Sequence, residues 1–315
     1  MEKPEVSIVF TSYNHKEYLC QALDSLLAQT FTNFELIIID DCSTDDSQVV
    51  LSEYAQKDSR IRLTLNKKNS GSYVHSTNQG AALCTAPYII FAQCDDWAES
   101  TQLEKLVNAI EHYDVGVVFS CSNLVDENGQ LLGVDYDVRE RSFRKVFNKD
   151  GVLSREDARH FFFNSCIIPN LSAALFKRSL YTELGGLSKN YKVLADWDFW
   201  LRATTICDFF YIREPLNNFR QHRTTIRSSV KMKLQLSELF NMFYSFGLSN
   251  SYSSLYMSRY IVRLWVRWIK NNPKDWLLTF PGFFIKGVNH TWLFPIVFFI
   301  EAIRELFLKV KYIKI

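Results

Sequence analysis

The run Pro87-Tyr88-Ile89-Ile90-Phe91-Ala92 reads as a buried strand, yet it leads through Gln93 and Cys94 into two adjacent carboxylates, Asp95 and Asp96, before Trp97. Two unit charges about 4 Å apart repel by about 4 kcal/mol at an effective dielectric of about 20, so something must offset the pair. Hard oxygen donors with few other ligands nearby suit Mg2+ or Mn2+, ions that keep waters and share a substrate's phosphates. The alternative is a polar start to the helix expected after Glu99-Ser100-Thr101. A second acidic pair, Asp40-Asp41, ends the apolar run Phe34 to Ile39. Asp41 can accept a hydrogen bond from a base N–H or a ribose hydroxyl. Thr44 to Ser47 supplies caps for a following helix, which leaves Asp40 and Asp41 unexplained. Thr11-Ser12-Tyr13-Asn14 follows the first apolar run. There a base can stack on Tyr13 and backbone N–H groups can meet its edge, or Ser and Asn simply open a helix.

The elements that must position these residues alternate. Val6 to Phe10 is a strand, Lys16 to Gln29 a helix with Leu19, Ala22, Leu23, Leu26 and Leu27 at helical spacing, and Phe34 to Ile39 a second strand. A helix over Ser47 to Lys57, a strand over Ile61 to Leu65, a helix around His75 to Leu83 and the strand Tyr88 to Phe91 continue the series. This predicts a Rossmann-like, mostly parallel central sheet flanked by helices, with ligands beyond the carboxyl ends of the strands, where both acid pairs fall. Further on come a helix over Thr101 to His112, a strand over Val115 to Ser120, a polar turn at Asp126-Glu127-Asn128-Gly129, and a charged, irregular stretch over 135–165 with a short helix from Arg155 to Phe163. A strand over Leu171 to Phe176 and a helix over Ala195 to Thr204 follow. A receiver or dinucleotide-binding domain is disfavoured, because no glycine-rich fingerprint follows the first strand.

Val6 to Asn14, Leu19 to Asp46 (notably Gln29-Thr30-Phe31-Thr32-Asn33-Phe34-Glu35 and Ile39-Asp40-Asp41-Cys42-Ser43-Thr44-Asp45-Asp46) and Pro87 to Asp96 together resemble the family 2 glycosyltransferases, inverting enzymes of the GT-A fold. The resemblance covers residues 4–230 and is most specific in the first hundred. It implies that Thr11, Tyr13, Asn14, Asp41 and Asn78 hold the nucleotide of a sugar donor. It also implies that Asp96 binds Mn2+ or Mg2+ on the donor diphosphate, with Asp95 contacting ribose or metal. Leu194-Ala195-Asp196-Trp197-Asp198-Phe199-Trp200-Leu201-Arg202 looks like the family's acidic helix opening, with Ala195 in place of the first acid and Asp196 at the general-base position. Without the resemblance, Asp196 is an N-cap; a cap and a base are compatible, since a helix N-terminus favours an ionised carboxylate. Asp198 lies about 200° around the helix from Asp196 and is expected to pair with Arg202 on the solvent face. Pro215 to Arg223 is similar to the segment whose Arg and His approach the diphosphate, which nominates Arg220 and His222 against the reading of a solvated basic loop. Two departures are Gln93, where the family often has an acid, and Thr77, where it often has an arginine beside the helix asparagine.

From Tyr256 onward the pattern changes. Arg259, Arg263, Arg267 and Lys270 recur with Ile261, Leu264, Trp265 and Trp268, and aromatic runs follow at 276–285 and 292–300. The last run is shorter than the roughly 20 residues needed to span a bilayer, and Pro281, Lys286, His290 and Pro295 interrupt any longer span. A basic, aromatic, interrupted helical region predicts a membrane-surface contact, with the cations meeting anionic headgroups; the alternative is a helical subdomain packed on the catalytic core or on a second subunit of a homo-oligomer. The expected division is therefore a catalytic domain over 1–230 and a helical region over 231–315. With 315 residues, 47% hydrophobic, and a net charge of +2, the chain can bury a large core and implies no nucleic-acid partner. Its seven cysteines show no ligand spacing, and the start MEKPEVSIVFTSYN has no signal-peptide pattern, which together predict reduced thiols and a cytoplasmic site at the inner face of the membrane. The expected function is transfer of a sugar from a UDP-sugar or related donor to a lipid-linked glycan acceptor in surface-polysaccharide synthesis. The alternatives are a soluble transferase with a protein acceptor and a catalytically silent nucleotide-sugar-binding scaffold, the latter favoured by Ala195 and Gln93.

Overall fold

The computed structural model describes residues 3–134, 143, 146–222, 232–271 and 273–307. Of the irregular stretch expected over 135–165, residues 135–142, 144 and 145 lie outside the described residues, as do 223–231 around the expected domain junction. The chain divides into two compact units, residues 1–161 with 166–222, and residues 162–165 with 223–315.

The first unit opens with β1 (Val6–Ser12), α1 (Lys16–Leu27), β2 (Phe34–Asp40), α2 (Ser47–Lys57), β3 (Ile61–Leu65), α3 (Tyr73–Ala82) and β4 (Tyr88–Gln93). These strands lie parallel in the order β3-β2-β1-β4. Every residue of β1 and β2 is buried, which is why apolar residues dominate both instead of alternating with polar ones. Helix α1 covers the sheet with Leu19, Ala22, Leu23 and Leu26, and each fully buried leucine contributes about 2 kcal/mol. Helix α3 approaches closely because Gly80 lacks a side chain: a Cβ there would lie 2.4 Å from Val9 Cγ1.

Beyond β4 the sheet is mixed. The chain continues through β5 (Trp97–Ala98), α4 (Gln102–His112), β6 (Val117–Val125), β7 (Leu131–Val134), β8 (Gly151–Leu153), α5 (Arg155–Phe162), a 3-10 turn at Leu171–Ala173, β9 (Ala174–Lys177), α6 (Arg178–Glu183), α7 (Ala195–Ala203) and β10 (Phe209–Arg220). Strand β9 enters antiparallel between β4 and β6, and β10 lies parallel to β6. The parallel order expected from the sequence thus holds over β3-β2-β1-β4, where each connection is a helical crossover. The twelve-residue strand β10 has no counterpart in the sequence reading, because Pro215, Asn217 and Asn218 look like turn residues; the strand absorbs Pro215 at a register shift against β6. All seven cysteines are free thiols.

The second unit contains α8 (Met232–Ser249), α9 (Ser254–Asn271), α10 (Trp276–His290) and α11 (Phe294–Phe307). Its interior is aromatic: Trp265 stacks on Phe283 at 4.7 Å between centroids, and Phe294 and Phe298 pack against Phe283. The basic row of α9 does not behave as expected for headgroup-facing cations. Arg259 and Arg263 donate to Glu301 at 2.8 and 2.6 Å, and Arg267 donates to Glu305 at 3.1 Å, so their charge is used in bonding α9 to α11. Among the described residues no helix is long and apolar enough to cross a membrane.

Candidate active site

The turns after β1 and β2 are bonded to each other. Asn14 (φ 53°) and Cys42 (φ 65°) both sit in the left-handed region, an uncommon choice for non-glycine residues that clusters at functional sites. The Asn14 N–H donates to Ser43 Oγ at 3.0 Å, and Asn14 Oδ1 accepts from the Thr44 N–H at 2.7 Å. Asp40, fully buried, accepts from the Ser43 N–H, the Ser43 hydroxyl and Gln48 Nε2 at 2.9, 2.5 and 2.9 Å, so this carboxylate builds the turn. Asp41 accepts from the Ser70 N–H and hydroxyl at 3.0 and 2.7 Å and from Asn66 Nδ2 at 3.2 Å. Thr11 is buried in β1 between Ile39 and Gln93, whereas Tyr13 is 42% exposed. Thr11, Tyr13, Asn14 and Asp41 therefore share one edge of the sheet, with the Tyr13 ring presented to solvent.

The corner between β4 and β5 divides the second acid pair. Asp96 is 4% exposed; its Oδ2 accepts from Asn170 Nδ2 at 2.5 Å and the Ser172 hydroxyl at 2.8 Å, and its Oδ1 accepts from the Arg220 N–H at 3.1 Å. Burial, and then the charge of Asp95, raise its carboxyl well above the ordinary range against those three donors. Asp96, expected with Asp95 to bind the metal, thus accepts hydrogen bonds at both oxygens from inside the protein. Asp95 faces the other way, and its Oδ2 lies 2.9 Å from His222 Nε2. A ring nitrogen of His15 joins them, so that three potential ligand atoms lie within 4.8 Å of one another. Two imidazoles and a carboxylate form a donor set that fits a divalent ion, with Asp95 as its carboxylate.

Arg220 is bonded into the same corner. Its guanidinium is held between the rings of Tyr18 and Trp97, 4.5 and 4.7 Å from their centroids. It donates to the Asp95 carbonyl at 2.9 Å, the Glu127 carbonyl at 2.7 Å and Gln21 Oε1 at 2.6 Å. With 3% exposure and three of its five N–H groups bonded, Arg220 ties α1, the acid corner and the β6–β7 hairpin together. Gly129 (φ 84°) makes that hairpin turn.

Asp196 is the second residue of α7 and half-buried; Leu194 takes the N-cap position, and Asp196 Oδ1 accepts from the Trp197 N–H at 2.8 Å. Asp198 pairs with Arg202 at 2.8 Å as expected, but it is 7% exposed rather than on a solvent face. Burial raises its carboxyl while the Arg202 charge opposes the shift. Arg202 also donates to the Leu184 and Gly186 carbonyls at 2.7 and 2.9 Å. Asn78 belongs to the same support: its Nδ2 donates to the Leu187 carbonyl at 2.9 Å, and its Oδ1 accepts from the Leu187 N–H at 3.0 Å and from the Tyr181 hydroxyl. The Asn78 amide thus pins the 184–187 loop.

His15, Asn170 and Ser172 escaped the sequence reading. Two residues after the nominated Tyr13, His15 carried a signal, as one of only six histidines in the chain. Asn170 and Ser172 carried none. A cleft of about 510 Å3 lined by Asp114, Lys177, Cys207 and Asp208 among others opens near Val115 and Gly116, before β6 starts, at the sheet end away from the acid pairs.

A parallel β3-β2-β1-β4 half with acids at its carboxyl edge, extended by a mixed half, is the GT-A fold. Solved structures agree on the fold: Staphylococcus aureus TarS 1–349 in complex with UDP-GlcNAc superimposes with a TM-score of 0.71 at 14% identity, over 96% of this chain and 89% of that one. The mannosyltransferase PcManGT from Pyrobaculum calidifontis, in complex with GDP-Man and Mn2+, gives 0.54 at 16% identity, over 98% and 89%. Residues 7–183 match Glycosyl transferase family 2, and the chain belongs to that family. It is 32% identical over 130 residues to the putative teichuronic acid biosynthesis glycosyltransferase TuaG of Bacillus subtilis, a match covering 41% of this chain and 51% of TuaG. In other curated relatives the matched stretch spans 58–66% of their length.

Proposed function

We propose that this protein transfers a sugar, with inversion, from a nucleotide-sugar donor, most simply UDP-linked, to a hydroxyl of a glycan acceptor in surface-polysaccharide synthesis. The observation that carries the reading is the Asp95–His222 pair at the carboxyl end of β4, on the same sheet edge as the exposed Tyr13 ring. Tyr13 stacks on the base, and Asp95 and His222 hold Mn2+ or Mg2+ against the donor diphosphate. When bound, the ion neutralises charge developing on the leaving diphosphate. Asp196 takes the proton of the acceptor hydroxyl as that oxygen bonds to the anomeric carbon and the bond to the nucleoside diphosphate breaks. TarS, in complex with UDP-GlcNAc, and PcManGT, in complex with GDP-Man and Mn2+, support the donor class and the ion, and TuaG supports the acceptor class. Calorimetry with UDP, GDP, CDP and dTDP, with and without Mn2+, in the wild type and Asp95→Asn tests it. One nucleotide should bind, need the metal, and lose it in the variant; no nucleotide binding under any condition refutes the reading.

A second reading concerns the helical unit. Ile296, Phe299, Ile300 and Ile303 are 53–61% exposed at positions i, i+3, i+4 and i+7 of α11, Trp292 is 78% exposed, and Lys309, Lys311 and Lys314 follow in the sequence. This stripe supports contact with an anionic, cytoplasm-facing membrane surface, where a lipid-linked acceptor would lie. Co-sedimentation with phosphatidylglycerol vesicles should fall in Phe299→Asp; equal sedimentation of the variant and the wild type refutes the contact.

A further inference from the structure

We propose that His15 is a third protein ligand of the divalent ion, completing a set of two imidazoles and one carboxylate with His222 and Asp95, and that this set selects Mn2+ over Mg2+. The inference rests on the proposed function for the presence of a metal, and adds a ligand and a selectivity to it.

Three observations support it. His15 Nδ1 lies 2.7 Å from the Tyr13 carbonyl, which can only accept, so Nδ1 keeps the proton and Nε2 keeps its lone pair. Metal-binding histidines are fixed in this way, the distal N–H being held by a carbonyl or carboxylate that sets tautomer and ring orientation. Next, the His222 Nε2 to Asp95 Oδ2 separation of 2.9 Å matches two cis ligands on one ion: with bonds of about 2.1 Å at a right angle the ligand atoms are about 2.1 × 1.41, or about 3.0 Å, apart. The His15, Asp95 and His222 ligand atoms all lie within 4.8 Å of one another, which brings the three side chains to one site. Finally, the His15 and His222 rings meet edge to face at 5.4 Å between centroids, and both contact Tyr18, so their placement is supported by packing.

The donor types then decide the ion. Mg2+ demands near-ideal octahedral oxygen coordination and dehydrates reluctantly. Imidazole nitrogen favours first-row transition ions, of which Mn2+ also tolerates phosphate and water oxygens. Three protein ligands leave coordination positions open for phosphate oxygens. A site with one imidazole among oxygens would accept either ion, whereas two imidazoles move the preference toward Mn2+.

The test uses the whole 315-residue chain without nucleotide. Mn2+ binding is followed by the EPR signal of the free ion, with Mg2+ as competitor, and nitrogen couplings to bound Mn2+ are counted by electron spin-echo modulation. Expected are two histidine couplings in the wild type, an affinity for Mn2+ at least about tenfold above that for Mg2+, and in His15→Ala one coupling with Mn2+ affinity about tenfold weaker while Mg2+ affinity is little changed. His15→Asn, a smaller change in the turn, should repeat the loss, and the wild-type coupling count needs no variant. One coupling in the wild type, or unchanged Mn2+ affinity in both His15 variants, overturns the proposal. If Asp95→Asn still abolishes Mn2+ binding in that case, the proposed function stands without it; absence of Mn2+ binding in the wild type, even with UDP, overturns both.

Discussion

Replacing Arg220 by lysine separates two accounts of this residue. In the structure its guanidinium satisfies three acceptors, the Asp95 and Glu127 carbonyls and Gln21 Oε1, between two aromatic rings in a site 3% exposed. A lysine keeps the charge but reaches at most one acceptor in that fixed fork geometry. Two buried hydrogen bonds from a charged donor are lost, each contributing about 1.5–3 kcal/mol. Water admitted around the ammonium recovers part, leaving an expected destabilisation of about 3 kcal/mol, or roughly a hundredfold in the folding equilibrium. Urea unfolding followed by tryptophan fluorescence measures it directly, since Trp97 stacks on the group. Because Arg220 also holds the Asp95 carbonyl, Mn2+ affinity should fall along with stability. An Arg220→Lys variant as stable as the wild type but unable to bind the donor diphosphate would refute the clamp and restore the direct phosphate contact expected from the sequence.

Gly80→Ala should destabilise by about 1–3 kcal/mol, since its Cβ would lie 2.4 Å from Val9 Cγ1 and 3.2 Å from Ile39 Cγ1; a thermal midpoint equal to the wild type would show that α3 can move off the sheet. For Glu35, burial raises the carboxyl, but hydrogen bonds from Ser7, Thr85 and Arg62 outweigh it and hold the group below its ordinary value. The stability it contributes is present above the ordinary carboxylate range and is lost as pH falls through the lowered value, so Glu35→Gln should unfold more easily at pH 7 while losing less on acidification; parallel urea midpoints from pH 7 to pH 3 would contradict this. Glu301→Gln leaves Arg259 and Arg263 facing a neutral amide at a site 2% exposed and should destabilise the helical unit by about 3 kcal/mol, read by limited proteolysis between α9 and α11. Asp196→Asn should keep donor affinity within about twofold and lower turnover by about a hundredfold or more; unchanged turnover would remove the base role.

Much of the first unit was legible because β1, β2 and most of β4 are buried on both faces, β3 is a short edge strand and the crossovers are amphipathic, so apolar runs and helical spacing mark β1 to β4 and α1 to α4. The mixed half was less so. Strand β10 carries Pro215 and two asparagines, and only its pairing with β6 and β5 reveals that Asn217 and Asn218 are buried ladder residues whose amides bond Ser122, Asn170, Asn123 and Glu99. Local sequence could nominate Arg220 and His222 but could not orient them. They are two positions apart on the chain and differ in placement, since Arg220 points into the interior at the end of β10 whereas His222 lies past it, against Asp95. The same limit applies to Asp95 and Asp96.

Those two carboxylates coexist because the corner gives them different surroundings. Asp96 is buried with three donors on its oxygens, and its proton affinity is raised by that burial and by its neighbour, so the protein itself absorbs much of the repulsion. A buried acid of this kind serves as a fixed bracket: through Asn170 and Ser172 it joins the corner to the segment before β9, and through the Arg220 N–H to the end of β10. Asp95 is the one left to face outward, with its backbone carbonyl fixed by Arg220 and its carboxylate against His222. A cation arriving there meets a preset pair rather than two flexible acids, so little ordering cost accompanies binding. In this acid doublet Asp96 is structural and Asp95 is the proposed ligand, and the division follows from the hydrogen-bond donors behind the strand, supplied by residues more than seventy positions away.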